Sequence, residues 1–411
     1  MTIQEVILQA FARKITWWQA AEILGISDRQ LRRWRGRYQK FGYEGLLDGR
    51  RRHPSQRRVP VEQVEKVFAL YREQYFDLNV RHFHEKLVEE HDIHLSYTWV
   101  KNALQQAGLV ARSRKRRKHR RRRARCAMPG MMLHIDGSEH RWFQDERYYQ
   151  LLVILDDATS QIYYAQLVEA ESTATVMRAL REVIEKQGRF CALYSDRASH
   201  FFYTPKAGGR VEKELTQVGR AMQQLGIRMI PAYSPQARGR GERSFRTWQG
   251  RLPQELRLHG LRELEAANRW LRRYYVPSFN RRFVVAAAQP GTAFVPLESQ
   301  DLDRIFSLHW ERTVNGDNTV QFEKLCLQIE PGPWRSTLAG TRVTVHQHLD
   351  GNLTLYYGPH RVGRYDARGV PRDHQQNRAV RAVEKTAAAP PWKSQSDSHF
   401  PPAPTAAITS T

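Results

Sequence analysis

The fold of this chain is decided by residues 148–170, YYQLLVILDDATSQIYYAQLVEA. Two strand-like runs flank the acidic turn DDATS, residues 156–160, in the manner of a β-hairpin. A third strand-like run, MMLHIDGS, precedes them at residues 131–138. We expect these three segments to form neighbouring strands of one sheet.

Helical and strand-like segments alternate after this hairpin. They are an amphipathic helix at 173–188, a short strand at 189–196, a helix at 214–226, a short strand at 227–235 and a helix that begins near Arg240. The order is therefore three strands, helix, strand, helix, strand, helix. This order predicts a mixed α/β sheet with helices on its faces, over residues 130–290.

The N-terminal residues 1–52 show a helix-turn-helix pattern. Gly25 permits a tight turn, Ser27 can cap the second helix, and Leu31 and Trp34 supply its inward face. An ordinary helical hairpin with a solvated basic face is the alternative, but turn, cap and charge together favour DNA recognition. The predicted DNA contacts of this helix are Arg29, Gln30, Arg32 and Arg33.

Residues 53–111 form a second helical unit. Its last segment, HLSYTWVKNALQQAGLV at 94–110, resembles a second recognition-helix unit that Ser96 can cap, although a purely structural bundle is the alternative. Four histidines in this unit invite comparison with a zinc site: His82, His84, His91 and His94. No CxxC motif accompanies them, so we do not favour zinc binding.

A basic linker, residues 112–129, separates the helical units from the sheet. Eleven of the fourteen residues from 112 to 125 are Lys or Arg, so self-repulsion should keep the free segment extended. A solvated charge run is the common alternative, but its place between two ordered blocks favours a segment that follows the DNA backbone. The predicted phosphate contacts are Arg114, Lys115, Arg116 and Arg117.

Strand-like segments with turn signals fill residues 300–370. Hairpin signals occur at NGDN, residues 315–318, and at LDGN, residues 349–352, and together they predict a small β-barrel. Residues 371–411 are rich in Ala, Pro, Ser and Thr and are predicted to be a disordered tail.

The composition points to a polyanionic partner. The chain has 411 residues and a net charge of +24, and nucleic acid is the leading candidate for such an excess. No apolar run approaches the roughly 18–20 residues of a membrane span, and the N-terminal segment lacks a signal peptide's apolar core. Three cysteines spaced far apart indicate a reducing compartment. We expect a cytoplasmic, nucleoid-associated protein without a membrane partner.

Three acids stand at positions suited to metal chemistry. Asp136 and Asp196 end strand-like runs, and Glu242 falls in the first turns of a predicted helix. Individually they could be a turn residue, a cap and a helix-dipole partner. Together, three such oxygen ligands suit Mg²⁺ or Mn²⁺, and two ions roughly 3.5–4 Å apart can activate a hydroxyl for attack on a phosphodiester.

Four other side chains near these motifs are more simply explained by turn formation or core packing. Asp156 and Asp157 could compete as ligands, but adjacent strand residues point to opposite faces, so a hairpin turn is favoured. Tyr233 and Trp248 flank Glu242 and could stack on frayed bases, but core packing is favoured for both.

Three motifs carry a family resemblance: HIDGSEHRW at 134–142, LYSDRASHF at 193–201 and SPQARGRGERSFRTWQGRL at 234–252. They resemble the acidic motifs of the integrase-core (DDE) transposases, and the nearest match is the ISNCY-type insertion-sequence transposases. The resemblance implies an RNase H-like catalytic fold and a metal-binding triad. It also implies cleavage at element ends, followed by attack of a 3′-hydroxyl on target DNA. The implied triad is Asp136, Asp196 and Glu242.

Three residues depart from the family pattern. Gly241 replaces a bulkier apolar residue before Glu242, Pro253 interrupts the expected helix near Leu252, and His200 replaces a short acidic or polar residue. None of them removes a carboxylate.

The predicted partner is double-stranded DNA, both the terminal inverted repeats and the target, bound by a homo-oligomer. The arginines around Glu242 are predicted to hold DNA phosphates: Arg238, Arg240, Arg243 and Arg246. The alternatives are a DNA-binding regulator with an inactive core and a purely hydrolytic nuclease.

Overall fold

The structure, a computed structural model, describes residues 3–46, 59–112, 124–203, 214–233, 239–298, 300–329 and 336–372. The chain divides into two compact units, residues 1–113 and 114–411, which are described separately. Within the described ranges, every helix is too short or too polar to cross a lipid bilayer. The linker contacts Arg114, Lys115, Arg116 and Arg117, and nearly all of the predicted tail, lie outside these ranges.

The N-terminal unit begins with the predicted helix-turn-helix. Its helices are α1 Ile3–Phe11, α2 Trp17–Leu24 and α3 Asp28–Phe41, followed by a 3₁₀ turn at Gly42–Leu46. Gly25 ends α2 with a left-handed φ of 63°, and the Ser27 hydroxyl accepts a hydrogen bond from the Gln30 amide. Leu31 is buried as predicted, and it packs with Ala20 and Ala21 of α2.

The second helical segment of this unit also follows its sequence pattern. Its helices are α4 Val61–Glu73, α5 Val80–Glu89 and α6 Tyr97–Gln106. The Ser96 hydroxyl caps α6 by accepting a hydrogen bond from the Trp99 amide at 3.2 Å. His84 Nε2 lies 2.8 Å from the Leu95 carbonyl oxygen, on the other side of the α5–α6 turn. The α6 cap predicted from the sequence is thus confirmed.

A five-stranded sheet forms the centre of the second unit. Its strands are β1 Leu133–His140, β2 Tyr149–Asp156, β3 Ile162–Val168, β4 Ala192–Ser195 and β5 Arg228–Pro231. The strand order is β3-β2-β1-β4-β5. The first three strands are antiparallel, and β4 and β5 run parallel to β1. This is the mixed α/β sheet that the sequence predicted.

Helices cover both faces of this sheet. They are α7 Thr173–Gln187, α8 Gln217–Gln224, α9 Gly239–Gln249, α10 Leu252–Leu258, α11 Leu264–Trp270, a π-helical turn at Leu271–Tyr275, and α12 Val276–Phe283. Helices α7 and α8 pack with Leu133 and Ile135 in one apolar core. Helices α9 to α12 pack with Val153 and Leu155 in the other. The sheet therefore separates two cores, and Leu133 and Ile135 of β1 point into the first of them.

The outer edge of β3 is closed by two asparagine side chains. Asn268 accepts from the Leu167 amide and donates to the Leu167 carbonyl. Asn280 makes the same two contacts with Ile162. Because these amides satisfy backbone groups that an edge strand would leave open, they hold α11 and α12 against the sheet.

The C-terminal part is β-rich but is not the closed barrel predicted from the sequence. Its elements are α13 Leu302–Ile305, β6 Leu308–Thr313, β7 Thr319–Phe322, β8 Leu325–Gln328, β9 Arg342–Gln347, β10 Leu353–Tyr357 and β11 His360–Tyr365. One sheet has the order β11-β10-β9-β6, and β7-β8 forms a separate pair. The two sheets share one apolar core without closing a hydrogen-bonded ring.

The two predicted hairpin signals of this region have different outcomes. LDGN, residues 349–352, joins the paired strands β9 and β10. NGDN, residues 315–318, instead leads from β6 to β7, which belong to different sheets. The turn closes locally, since the Asn318 amide donates to the Asn315 carbonyl, but Asn318 also contacts segments farther along the chain: its side chain accepts from the Leu338 amide and its carbonyl accepts from the Ile329 amide.

Two stacked histidines lie where the C-terminal sheet meets helix α8. His309 of β6 and His346 of β9 are cross-strand partners whose ring centroids are 3.8 Å apart. Burial, assisted by the positive charge of Arg220, lowers the pKa of His309 to about 4. Burial, assisted by His309, lowers the pKa of His346 to about 2. Both rings are therefore neutral in the folded protein at neutral pH.

We expect the free energy of unfolding to fall as the pH drops from about 6.5 towards the pKa of His309, about 4. Unfolded histidines take up protons near pH 6.5, whereas the folded His309 and His346 do not. Each can contribute at most about 1.4 kcal/mol per pH unit in this window. Calorimetric unfolding across this range checks the prediction. His346→Asn should show a shallower pH dependence, and a slope equal to that of the wild type would contradict it.

Candidate active site

Two of the three predicted acids lie at corresponding positions of neighbouring segments. Asp196 directly follows β4 as predicted, whereas Asp136 lies within β1 rather than at its end, because β1 continues to His140. Strands β1 and β4 are parallel, with Leu133 opposite Leu193 and His134 opposite Tyr194. The same register, continued by two residues, brings Asp136 beside Asp196, which directly follows β4.

The side chains of these two acids share one face of the sheet. The His134 and Tyr194 rings contact each other, with centroids 4.9 Å apart. Because side chains two residues apart on a strand share a face, Asp136 lies on the same face as His134, and Asp196 on the same face as Tyr194. This is the face that α9 covers, since Asp136 is opposite Val153 of the α9-side core.

The helix that carries the third acid begins against Asp136. A Cβ atom built at Gly241 would lie 3.0 Å from Asp136 Oδ2, which is tighter than an ordinary van der Waals contact. The glycine at this position therefore lets the first turn of α9 approach the carboxylate closely. The bulkier residue expected from the family pattern would press on Asp136.

Helix α9 runs along β1 from Asp136 towards Ser138. Gln249 Nε2 donates to the Ser138 hydroxyl at 3.0 Å. Glu242 lies seven residues before Gln249, which is about two helical turns, so both are on the same side of α9. Glu242 itself is exposed, one residue after the contact between Gly241 and Asp136.

A closed cluster of ligands is not formed by these acids. Among the residues that the structure describes, no three His, Cys, Asp or Glu side chains are close enough to hold a metal ion. The oxygen donors of Asp136, Asp196 and Glu242 nevertheless fit a hard divalent cation chemically. The structure thus brings two acids level and places the start of the third acid's helix against the first.

The helix that carries Glu242 is followed by a separate short helix. Helix α9 ends at Gln249, three residues before the predicted end near Leu252. Pro253 then lies in the first turn of α10, where a proline is tolerated because no intrahelical amide bond is lost.

The two aromatic side chains that flank Glu242 in the sequence differ in burial. Trp248 is fully buried and stacks on Phe279, with ring centroids 4.5 Å apart, so its predicted core role is confirmed. Tyr233 is 59% exposed, so its predicted core role is wrong. Its ring instead lies 5.2 Å from the Arg197 guanidinium, in the loop that follows Asp196.

The paired acids at the β2–β3 turn are structural. Asp156 accepts hydrogen bonds from Gly130 and from Thr159. Asp157 accepts from the Cys126 amide at 2.8 Å and from His134 Nε2 at 2.6 Å. Both carboxylates are completely buried, which confirms the turn interpretation. The sequence did not show that they also anchor the end of the linker.

One acid beside the site was not predicted from the sequence. Glu171 follows β3, and its carboxylate packs against Gly137, the residue after Asp136. Its other oxygen pairs with His200 in the loop after Asp196. The signal that could have found it is His200, the departure from the family pattern after the second acid.

The predicted DNA contacts of helix α3 are exposed, namely Arg29, Gln30, Arg32 and Arg33. Arg32 Nε also donates to Asp28 at 2.9 Å within the helix. Of the arginines around Glu242, Arg243 and Arg246 are exposed on α9. Arg238 lies outside the described residues, and only the backbone of Arg240 is described.

Family models match the helices of the N-terminal unit. Two models described as homeodomain-like domains match residues 4–47 and residues 30–104. The integrase catalytic core domain of HTLV-2 in complex with magnesium is 16% identical and covers 35% of this chain and 86% of that chain. Its TM-score of 0.27 is too low for any conclusion about this chain.

Two curated relatives match along most of their length. "Putative transposase y4bF" of Sinorhizobium fredii (strain NBRC 101917 / NGR234) is 32% identical over 359 residues, covering 87% of this chain and 78% of the relative. The transposase for insertion sequence IS1202 of Streptococcus pneumoniae is 27% identical over 391 residues, covering 86% and 83%. The chain therefore belongs to the insertion-sequence transposase family, with helix-turn-helix DNA-binding domains ahead of an α/β core.

Proposed function

We propose that this protein is a DNA transposase that cleaves the ends of its element and joins them to target DNA through a DDE triad. The observation that carries the proposal is the parallel register of β1 and β4, whose continuation leads Asp136 and Asp196 to the same level, together with the close approach of Gly241 to Asp136. Three carboxylates in this order, C-terminal to DNA-binding domains in the sequence, fit metal-dependent phosphodiester chemistry.

Asp136, Asp196 and Glu242 are the residues that would hold Mg²⁺ or Mn²⁺. Two bound ions would supply an activated hydroxyl and charge stabilisation at the leaving oxygen. The chain's own task is then positioning. The sheet orients Asp136 and Asp196, and the close approach at Gly241 lets α9 bring Glu242 to the same edge.

The two ends of an element have to be brought together for strand transfer, so we propose a homo-oligomer on DNA. Helix α3 would contact the terminal inverted repeats through its exposed basic face. Arg243 and Arg246, exposed beside Glu242, would hold phosphates near the cleaved bond, together with Arg238 and Arg240. We place this activity in the cytoplasm, at the nucleoid.

The proposal is tested with purified full-length protein and DNA that carries the two ends flanking its gene. With Mg²⁺ or Mn²⁺, we expect nicking at the ends and covalent joining of a donor 3′ end to a target plasmid. Binding without any nicking would indicate a regulator with an inactive core. Nicking without joining would indicate a hydrolytic nuclease. Either result would overturn the transposase proposal.

We expect the basic linker to make DNA binding strongly salt-dependent. Replacing Arg114, Lys115, Arg116 and Arg117 with glutamine should reduce the slope of log K against log[salt] by about 0.9 for each lost phosphate contact. Fluorescence anisotropy with end DNA at several salt concentrations measures this slope. An unchanged slope would mean that these residues do not contact the DNA backbone.

A further inference from the structure

A glutamate–histidine pair links strand β1, which carries Asp136, to the loop that begins with Asp196. Glu171 lies in the connection between β3 and α7, and His200 lies four residues after Asp196. His200 Nε2 donates to Glu171 Oε1 at 2.8 Å. Their side chains are only 15% and 19% exposed, so solvent screens this contact weakly.

The other oxygen of Glu171 lies against the backbone beside Asp136. A Cβ atom built at Gly137 would overlap Glu171 Oε2, so any side chain here would displace the carboxylate from this position. The absence of a side chain at Gly137 is therefore required for the carboxylate to reach β1. One carboxylate thus touches the strand of the first acid and the loop of the second.

The loop after Asp196 is held at both ends. At its start, Asp196 Oδ1 accepts a hydrogen bond from the Ala198 amide at 3.0 Å. At its end, Phe201 and Phe202 are buried in the core beneath α7 and α8. His200 lies between these anchors, with its ring 4.3 Å from the Phe201 ring, and it points to Glu171 rather than to the core.

We propose that Glu171 and His200 are positioning residues that set the separation between Asp136 and Asp196 for divalent-ion binding. This inference rests on the proposed function of the two acids. Glu171 anchors on Gly137, His200 anchors on Glu171, and the loop that begins with Asp196 is thereby held beside β1. Groups that orient metal ligands in this way commonly affect metal affinity or activity by about 10–100-fold when they are removed.

The test compares full-length variants on end DNA at increasing Mn²⁺ concentration. Glu171→Ala and His200→Ala should each lower the cleavage rate by about 10–100-fold and raise the Mn²⁺ concentration needed for half-maximal rate. Because the two side chains act as one unit, the double variant should be no worse than either single variant. End binding should remain unchanged. Glu169→Ala, an exposed acid in the same connection, is the matched control and should behave as the wild type.

Two further variants separate positioning from other roles. Glu171→Gln keeps the acceptor for His200 and should recover most of the rate. Gly137→Ala should reproduce the loss, because the added methyl group would displace the Glu171 carboxylate. An equally large loss in Glu171→Gln and Glu171→Ala would overturn the proposal, since the charge rather than the hydrogen bond would then be required. Should an alanine variant fail to fold in thermal unfolding, Glu171→Asp, which withdraws the carboxylate by one methylene, takes its place.

Electron paramagnetic resonance of Mn²⁺ bound to the protein–DNA complex provides a readout that does not depend on turnover. Weaker Mn²⁺ binding in Glu171→Ala and His200→Ala supports the inference, and binding equal to that of the wild type overturns it. A failure of the proposed function looks different, because Asp196→Ala would then retain metal-dependent cleavage or the wild type would show none.

Discussion

Alanine in place of Asp136, Asp196 or Glu242 is expected to lower the rate of end cleavage by at least about 10³-fold, or about 4 kcal/mol of activation free energy. Each substitution removes one of the three carboxylates proposed to hold the ions. The predicted DNA contacts of α3 belong to the other compact unit, so the affinity for end DNA should not change. The variants should therefore bind ends normally and fail to cut them.

Single-turnover cleavage of a labelled end fragment measures the rate, and fluorescence anisotropy measures binding. Suitable controls are Asp145→Ala and Glu265→Ala, because these acids pair with Arg147 and Arg269 away from the proposed site. Both controls should cleave at the wild-type rate. Retained cleavage in one of the three site variants would remove that residue from the triad.

Replacing Asp157 with alanine is expected to destabilise the second unit by about 3–5 kcal/mol. Its carboxylate is completely buried and bonds to both His134 and the Cys126 amide. Alanine would leave these donors buried without an acceptor, which costs more than the contact itself contributes. The loss should appear as a lower midpoint in urea unfolding.

The matched control is an exposed pair of the same kind. His94 lies 2.7 Å from Asp92, almost the same distance as in the buried pair, but both side chains are mostly exposed. His94→Ala should therefore change the free energy of unfolding by less than about 1 kcal/mol. A loss below about 1 kcal/mol in Asp157→Ala as well would show that the buried pair does not hold the linker end to the sheet.

Predictions that depended on neighbouring residues along the chain were the most accurate. The caps at Ser27 and Ser96 and the left-handed turn at Gly25 are present as expected. These features depend on backbone groups within three residues, so a local pattern is sufficient to place them. The strand and helix order of the core followed from side-chain periodicity for the same reason.

Predictions that depended on distant residues were less reliable. Tyr233 was expected in the core and is exposed, because its neighbour Ala232 is the residue of this segment that faces the core, and adjacent residues of an extended chain point to opposite sides. NGDN, residues 315–318, has a hairpin composition, but Asn318 also contacts Leu338 and Ile329, and the strands on its two sides belong to different sheets. Neither partner is visible in the local sequence.

By itself, the sequence determined the order of strands and helices in the core, the helix-turn-helix and the place of Asp196 directly after a strand. Only the tertiary structure decided that α9 begins against Asp136 at Gly241 and that Glu171 reaches Gly137 and His200. The physical reason is the distance along the chain over which each feature acts. Helix caps and side-chain periodicity depend on residues a few positions apart, whereas these contacts join segments that only the folded sheet brings together.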